Sequence, residues 1–345
     1  MEKALYPQQL LEFVDQPVFC VKDGTIIQVN DLAAGRMLEP GMSVADILVT
    51  GQEQYASFSG GCLFLKVKIA DVTGTARITR MDGQDIFILE DTNPEPQLQA
   101  MALASQQLRE PLALLLNAAD NLAPSDATAQ LNKGIYQLLR CINNMSDAAR
   151  YQQVTAPPTQ IRDVDALFAE ICQKAADLVE EAGIRLTYKG LDMQIFCAVE
   201  PERLERALYN LISNAAKFTG VGGTIDVSLT RRNTTFFLCV EDSGCGMEPK
   251  KLPNVFRQYL RQPGLEDGRK GIGLGMALVL SAAAAHEGTV LLESAPAGGT
   301  KVTMTLKIRQ NITTTRSPIL TVDYAGERDH GLMELSEVLP SQSFQ

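Results

Sequence analysis

The 345-residue chain is poor in histidine: it has two, His286 and His330. Any chemistry that needs an imidazole must use one of them. A basic excess is also missing. Lys and Arg sum to 31 against 41 for Asp and Glu, a formal charge of −10. That balance argues against a nucleic-acid binder, which needs a basic face to offset phosphate, and against attachment to anionic lipid by charge. The seven cysteines (Cys20, Cys62, Cys141, Cys172, Cys197, Cys239, Cys245) include no CxxC pair. An odd, dispersed set reads as reduced thiols and excludes a clustered zinc site. Long apolar runs are absent too. The nearest, Met276 to Ala285, falls well short of the ~18 residues of a membrane span. The opening residues lack a basic stretch followed by an apolar one. The expectation is a soluble cytoplasmic protein with no membrane and no nucleic-acid partner. Its 45% hydrophobic content supports packed cores, and its length suggests two or three domains.

The first 93 residues read as a small α/β module. Pro17–Val21 and Thr25–Val29 have strand character around a Lys22-Asp23-Gly24 turn, and Asn30 is placed to cap a short helix. Three further strands are expected at Cys62–Val67, Thr75–Arg80 and Asp85–Leu89. Asp91 to Gln97, with Pro94 and Pro96, reads as a linker.

Two long helical patterns occupy 94–156. Leu98, Met101, Ser105, Leu108, Leu112, Leu115, Ala119 and Leu122 fall mostly at three- and four-residue steps. Leu131, Ile135, Leu138, Ile142, Met145 and Ala149 continue the same spacing after an Ala123-Pro124-Ser125-Asp126 connection. Each helix therefore carries an apolar seam at heptad spacing. A lone hairpin cannot bury such seams. Two hairpins pair into a four-helix bundle, so a homodimer is expected.

Residues 157–309 alternate helix and strand patterns. Helices are expected at Val164–Ala182, Pro201–Phe218 and Leu274–Ala285. Strands are expected at Ile184–Tyr188, Ile195–Val199, Thr224–Thr230, Thr235–Glu241, Thr289–Ser294 and Lys301–Ile308. This reads as α+β, with helices layered on one mixed sheet. Residues 310–345 form a tail with a possible strand at Ile319–Tyr324 and a short helix at Leu332–Leu339. Docking onto the preceding domain accounts for it better than a binding motif.

Four segments of the third unit carry chemistry. In Tyr209–Phe218, Asn210, Asn214 and Lys217 sit at i, i+4 and i+7 and share a helix face. Carboxamide oxygens suit Mg²⁺, a hard ion that shares ligands with phosphate, and the lysine suits a phosphate as a point charge. Alone, such residues read equally well as exposed helix polars. Asp242-Ser243-Gly244-Cys245-Gly246-Met247 follows a strand. A carboxylate there, beside Gly244 and Gly246, can accept from an adenine amino group, although a plain Asp-rich turn reads the same. Gly271-Ile272-Gly273-Leu274-Gly275 opens an apolar helix whose free N–H groups suit phosphates. Gly298-Gly299-Thr300 precedes the last strand and offers a hydroxyl.

Together and in this order, "NLISNAAKF", "DSGCGM" and "GIGLGMAL" resemble the nucleotide boxes of the ATP-binding domain shared by histidine kinases, gyrase B, Hsp90 and MutL, over about 150 residues. The resemblance implies ATP and Mg²⁺ as cofactors. It places Asn214 on the metal, Asn210 and Lys217 near the phosphates, and Asp242 on adenine. Gly244, Gly246, Gly271, Gly273, Leu274 and Gly275 would shape the pocket and hinge a lid over 248–270. "VFRQYLR" resembles the lid motif at Phe256 and Arg261 and departs from it at Gln258 and Tyr259. "PVFCVKDGTIIQVNDLAAGRML" resembles the opening of a PAS sensor module; a small module serving only dimerisation is the alternative.

The hairpin narrows the resemblance to sensor histidine kinases. Ser105-Gln106-Gln107-Leu108-Arg109-Glu110-Pro111-Leu112 is similar to their phosphoacceptor box, Ser-His-Glu-Leu-Arg-Thr-Pro-Leu. The scaffold positions are kept. The reactive ones are not: Gln106 stands at the acceptor position, Gln107 at the adjacent acid, and Glu110 at the position used in phosphatase chemistry. A carboxamide nitrogen is delocalised into its carbonyl and cannot accept a phosphoryl group. His286 ends a helix, where a cation suits the dipole, and His330 reads as a loop residue.

The sequence thus implies an α+β multidomain chain: a PAS-like module (1–93), a hairpin forming a dimeric four-helix bundle (94–156), an α/β-sandwich ATP-binding domain (157–309) and a tail (310–345). Its expected role is a degenerate sensor histidine kinase, without phosphorylation in cis, whose partner is a response regulator or another histidine kinase. Signal would pass from the PAS-like module through the bundle to the ATP-binding unit. Alternatives are an active kinase phosphorylating a partner chain, a serine/threonine-kinase-like switch on the same fold, and a scaffold that binds no nucleotide.

Overall fold

A computed structural model describes residues 14, 16–81, 83–90, 95–153, 160–191, 193–248, 252, 274–309 and 329–345. Strands β1 (Val18–Lys22) and β2 (Thr25–Val29) form a hairpin. Both turn residues have positive φ, 50° at Asp23 and 76° at Gly24, the handedness that suits a tight hairpin. Asn30 caps helix α1 (Asp31–Ala34) as expected. Its Oδ1 accepts from the amides of Ala33 and Val18, each at 3.0 Å, so one side chain starts the helix and pins it to β1. Helix α2 (Gln52–Ala56) then precedes β3 (Cys62–Ile69), β4 (Val72–Met81) and β5 (Gln84–Glu90). The order β2–β1–β5–β4–β3 is antiparallel throughout.

The hairpin consists of α3 (Glu95–Asp120) and α4 (Asp126–Gln153). Residues 95–97, read from sequence as linker, are helical. Pro96 falls in the first turn, where its missing N–H has no intrahelical partner to lose. Ser125 accepts from the Thr128 amide at 3.1 Å and so caps α4. The apolar seam resolves into two lines. Ser105, Leu112 and Ala119, seven residues apart, are buried with Ile135 and Ile142 inside the hairpin. Leu108, Leu115 and Leu122, and Leu131 with Leu138, repeat the same spacing and are 45–53% exposed.

The third unit holds β6 (Gln160–Asp163), α5 (Val164–Glu181), β7 (Arg185–Lys189), β8 (Phe196–Val199), α6 (Pro201–Phe218), β9 (Thr224–Arg232), β10 (Thr235–Asp242), α7 (Gly275–Ala285), β11 (Val290–Ser294) and β12 (Thr300–Lys307). Its main sheet is mixed, because β7 pairs parallel with β9. Phe168, Leu204, Leu208, Phe236 and Leu238 sit in the core between sheet and helices.

The sheets of the first and third units are continuous. β3 pairs with β11 (Phe64 with Val290, Cys62 with Leu292), giving one ten-stranded sheet. Cys62 and Phe64 enter the core of the third unit while Leu63 and Leu65 enter the core of the first. The Lys66 ammonium donates to the Ala284 carbonyl at 3.1 Å, at the end of α7. The expected route through the hairpin is therefore accompanied by a direct contact.

The strand expected at Ile319–Tyr324 lies outside the described residues. The expected tail helix is α8 (His330–Leu335), and it docks against α4, α5 and α6. His330 is the first residue of that helix, capped by Asp329, and not the loop residue expected.

Candidate functional site

Helix α6 begins at Pro201, whose ring is pre-set for a first turn, and carries the three polar residues singled out above. They do not present one uniform face to solvent. Asn210 is buried; its Nδ2 donates to the Arg206 carbonyl at 2.8 Å, and its Oδ1 accepts from Arg140 of α4 at 3.3 Å. Asn214 is half-buried, with Nδ2 donating to the Met276 sulfur at 3.3 Å. Its Oδ1 accepts no hydrogen bond among the described residues. Lys217 is ion-paired with Glu337 of the tail.

Helix α7 runs alongside. Its first residues have no side-chain cap, so the N–H groups at that end are available to an anion. Gly275 is needed for packing: a Cβ there would lie 2.6 Å from Asn210 Oδ1. Leu274 is buried behind this turn. Gly271, Gly273, Arg261 and most of the expected lid lie outside the described residues.

Asp242 ends β10 and is buried. Its Oδ1 accepts from the Gly244 amide at 2.8 Å and the Thr300 amide at 3.2 Å. Oδ2 takes no hydrogen bond among the described residues. Burial pushes the carboxyl up from its ordinary range, and the two amides oppose that shift. The surrounding glycines are steric requirements. A Cβ on Gly244 would meet the Phe218 carbonyl at 2.4 Å, one on Gly246 the Ala295 carbonyl at 1.9 Å, and one on Gly299 the Asp242 carbonyl at 1.8 Å. Thr300, expected to offer its hydroxyl to phosphate, also serves the carboxylate with its amide, and its hydroxyl lies 3.1 Å from Ser294 Oγ.

The donor set fits a magnesium ion shared with a polyphosphate. Asn214 offers one open carboxamide oxygen, and among the described residues no group of three His, Cys, Asp or Glu side chains could hold a metal by itself. A hard ion that keeps waters and takes phosphate oxygens suits such a site.

On α3, Gln106, Gln107 and Glu110 are exposed, and Ser105 is buried with its hydroxyl on the Ala102 carbonyl at 2.7 Å. The position expected from the sequence to be the acceptor is thus presented to solvent and carries a carboxamide. His286 is buried. Its Nδ1–H donates to the Ala282 carbonyl at 2.8 Å, and Nε2 accepts from the Glu200 amide at 3.1 Å. Burial pulls its pKa down to about 4. The ring is therefore neutral, not the cation expected at this helix end, because both nitrogens are used by backbone in a dry site. His330 is half-exposed and lies 3.4 Å from Glu205.

Sequence reasoning missed Arg140, Glu334, Glu337 and Ser294. Ser294 Oγ joins the Met247 amide, at 2.9 Å, to the Gly299 carbonyl, at 2.8 Å, and so ties two glycine segments together.

Residues 199–310 match the family of histidine kinase-, DNA gyrase B-, and HSP90-like ATPases, which defines the third unit as an ATPase domain of that class. Over longer stretches the chain is similar to sensor histidine kinases. It is 26% identical to the sensor histidine kinase RppB of Synechocystis sp. over 226 residues, covering 62% of this chain and 50% of the relative. It is 27% identical to the sensor-like histidine kinase R01002 of Rhizobium meliloti over 308 residues, covering 81% and 58%. With the sensor histidine kinase CusS of Escherichia coli it shares 37% identity over 130 residues, covering 37% and 26%. The crystal structure of full-length ShkA in complex with AMPPNP is similar in fold, with a TM-score of 0.51 at 20% identity, covering 63% of this chain and 47% of that one. Residues 199–310 thus form an ATPase domain of the histidine-kinase type, and the chain over longer stretches is similar to sensor histidine kinases. The chain spans about half the length of the curated relatives it matches first.

Proposed function

We propose that this protein is a degenerate sensor histidine kinase of two-component signalling: it binds Mg-ATP, pairs with a second copy of itself, and does not phosphorylate its own hairpin. Its partner in signalling is a response regulator or another histidine kinase, and it works in the cytoplasm. Asn214 would hold the metal through its open oxygen, with Lys217 and the uncapped start of α7 facing phosphate. Asp242 Oδ2 would accept from the adenine amino group, while the amides of Gly244 and Thr300 fix the carboxylate in place. The bound metal supplies charge neutralisation on the phosphates.

The observation that carries the loss of self-phosphorylation is Gln106, exposed on α3 where the family's acceptor would stand. Access is present and nucleophilicity is not. The two histidines offer no substitute on the hairpin: one is a neutral core group and the other belongs to α8. Two further features support the reading. The leucines repeating every seven residues on α3 and α4 suit a self-complementary bundle. The first unit runs two strands, short helices and three strands, the order that suggested a PAS module.

The test is γ-labelled ATP with the wild-type protein beside Gln106→His, together with calorimetric Mg-ATP titrations of the wild type and Asn214→Ala. The expected result is Mg-ATP binding that Asn214→Ala abolishes, and no acid-labile label on the wild type. Acid-labile label on the wild-type chain would overturn the degenerate reading. Absence of Mg-ATP binding would overturn the nucleotide reading.

A further inference from the structure

The tail packs against α4, α5 and α6, and its Glu337 reaches Lys217. Three side chains of α4 hold its backbone: Lys133 donates to the Leu339 carbonyl at 2.6 Å, Asn132 to Phe344 at 3.0 Å and Gln137 to Ser336 at 3.2 Å. Its apolar residues divide between two cores. Leu335, Leu339 and Phe344 pack into the ATPase domain, and Met333 packs with Leu112, Ile135 and Ile142 of the hairpin.

Its two carboxylates organise the charges at that junction. Glu334 is 3.1 Å from Arg140 Nε of the hairpin and 3.4 Å from Arg206 of α6. Glu337 is 3.5 Å from Arg140 and forms the ion pair with Lys217. Arg140 in turn donates to Asn210. One network therefore joins the hairpin, the tail, Asn210 in the core of α6 and Lys217, the residue proposed to face phosphate.

We propose that residues 329–345 form an internal clamp whose Glu337 competes with the nucleotide phosphates for Lys217, so that the docked tail weakens Mg-ATP binding and Mg-ATP weakens tail docking. This rests on the nucleotide reading given above. A single ammonium cannot serve a carboxylate and a phosphate at full strength, and two anions brought to it repel each other. Because the coupling is a free energy shared by the two events, it acts equally in both directions. The docked state joins the ATPase domain to α4; the nucleotide-bound state loosens that joint. Nucleotide thereby acts on the position of the ATPase domain against the hairpin without any phosphoryl transfer, which gives a chain lacking the acceptor histidine a use for ATP.

The experiment uses the full chain, wild type and Glu337→Gln, titrated calorimetrically with Mg-ATP and separately with adenosine. It adds hydrogen exchange of residues 330–339 with and without saturating Mg-ATP. The exchange change reports directly on docking. Glu337→Gln is expected to bind Mg-ATP about 5-fold or more tightly, in the usual range of coupling between sites, and adenosine with unchanged affinity. Exchange of 330–339 in the wild type is expected to speed up with Mg-ATP. Equal Mg-ATP affinities in the two proteins, an equal gain for adenosine, or slower exchange with Mg-ATP would each overturn the clamp. Failure of both proteins to bind Mg-ATP or adenosine would instead overturn the nucleotide reading, and the clamp with it; binding only by Glu337→Gln would support both.

Discussion

Replacing Glu334 by Gln removes one charge from the junction while keeping shape and volume. In the folded protein the Glu334 side chain is 1% exposed and that of Arg140 5%. Burial pulls the Arg140 guanidinium down from its ordinary pKa, and Glu334 is the main group opposing that shift. Removing one partner of a buried pair costs roughly 3–5 kcal/mol, because the other charge stays in a poor dielectric. Two contacts soften the loss. Arg206 keeps Asp147 at 2.7 Å, and Arg140 keeps Glu337 at 3.5 Å. The expected cost is therefore at the lower end, about 3 kcal/mol, or a fall in Tm of roughly 6–12 °C for a unit of this size. Scanning calorimetry without nucleotide measures it. Glu170→Gln provides the contrast: its pair with Lys174, at 3.0 Å, is more than half exposed on both sides, and such pairs contribute about 0–1 kcal/mol. Adding Arg140→Met to Glu334→Gln should recover part of the loss, since the stranded charge is gone. If Glu334→Gln lowers Tm no more than Glu170→Gln does, the reasoning from burial is refuted.

Other predictions concern the hydrogen-bonded and packed parts of the site. With His286 at about 4 when folded and near 6.5 when unfolded, the unfolded chain binds the extra proton between those values. Stability should fall as pH drops from about 6.5 towards 4 and be flat for this group above 7; a His286 imidazole titrating near 6.5 by NMR, assigned with a His330→Gln control, would contradict this. Gly299→Ala places a Cβ 1.8 Å from the Asp242 carbonyl at a φ of 71°. It should abolish Mg-ATP binding and cost at least roughly 1–2 kcal/mol from the backbone conformation alone. Gly298→Ala, with contacts no closer than 3.4 Å, should be mild, and equal effects in the two variants would show that the Asp242 contact is not what matters. Leu115→Glu puts a charge in the exposed leucine line and should turn a sedimenting dimer into a monomer; a dimer that persists would place the pairing surface elsewhere.

Much of the fold could be read from side-chain pattern. Helix α6 has the expected bounds, Pro201–Phe218, because a proline opens it and its apolar face is continuous. The glycines beside Asp242 were legible because only glycine tolerates those approaches. The nucleotide reading of Asn210 and Lys217 was incomplete, since sequence spacing shows which face a residue occupies and not what covers it. Glu334 and Glu337, three residues apart, look like the solvated side of a helix until α4 is placed against them. Strand β6, Gln-Ile-Arg-Asp, lacks apolar alternation and left no trace. The joint between β3 and β11 is made by backbone, which carries no sequence signal of its own. One hint was present: Cys62-Leu63-Phe64-Leu65 is an unbroken apolar run, the pattern of a strand buried on both faces, where a strand at a sheet margin would alternate.

That run also bears on how the chain survives its own folding. β3 and β11 would each be an open margin of a half-sheet, with unpaired amides and carbonyls ready to recruit a strand from another molecule. Each instead shields the other. The protection holds only while both halves are folded, so a defect in either leaves the other with an adhesive border. Substitutions that unfold the first unit should therefore appear as insoluble protein before they appear as altered nucleotide binding, and the first unit is in this sense also a chaperone for the ATPase domain to which it is joined.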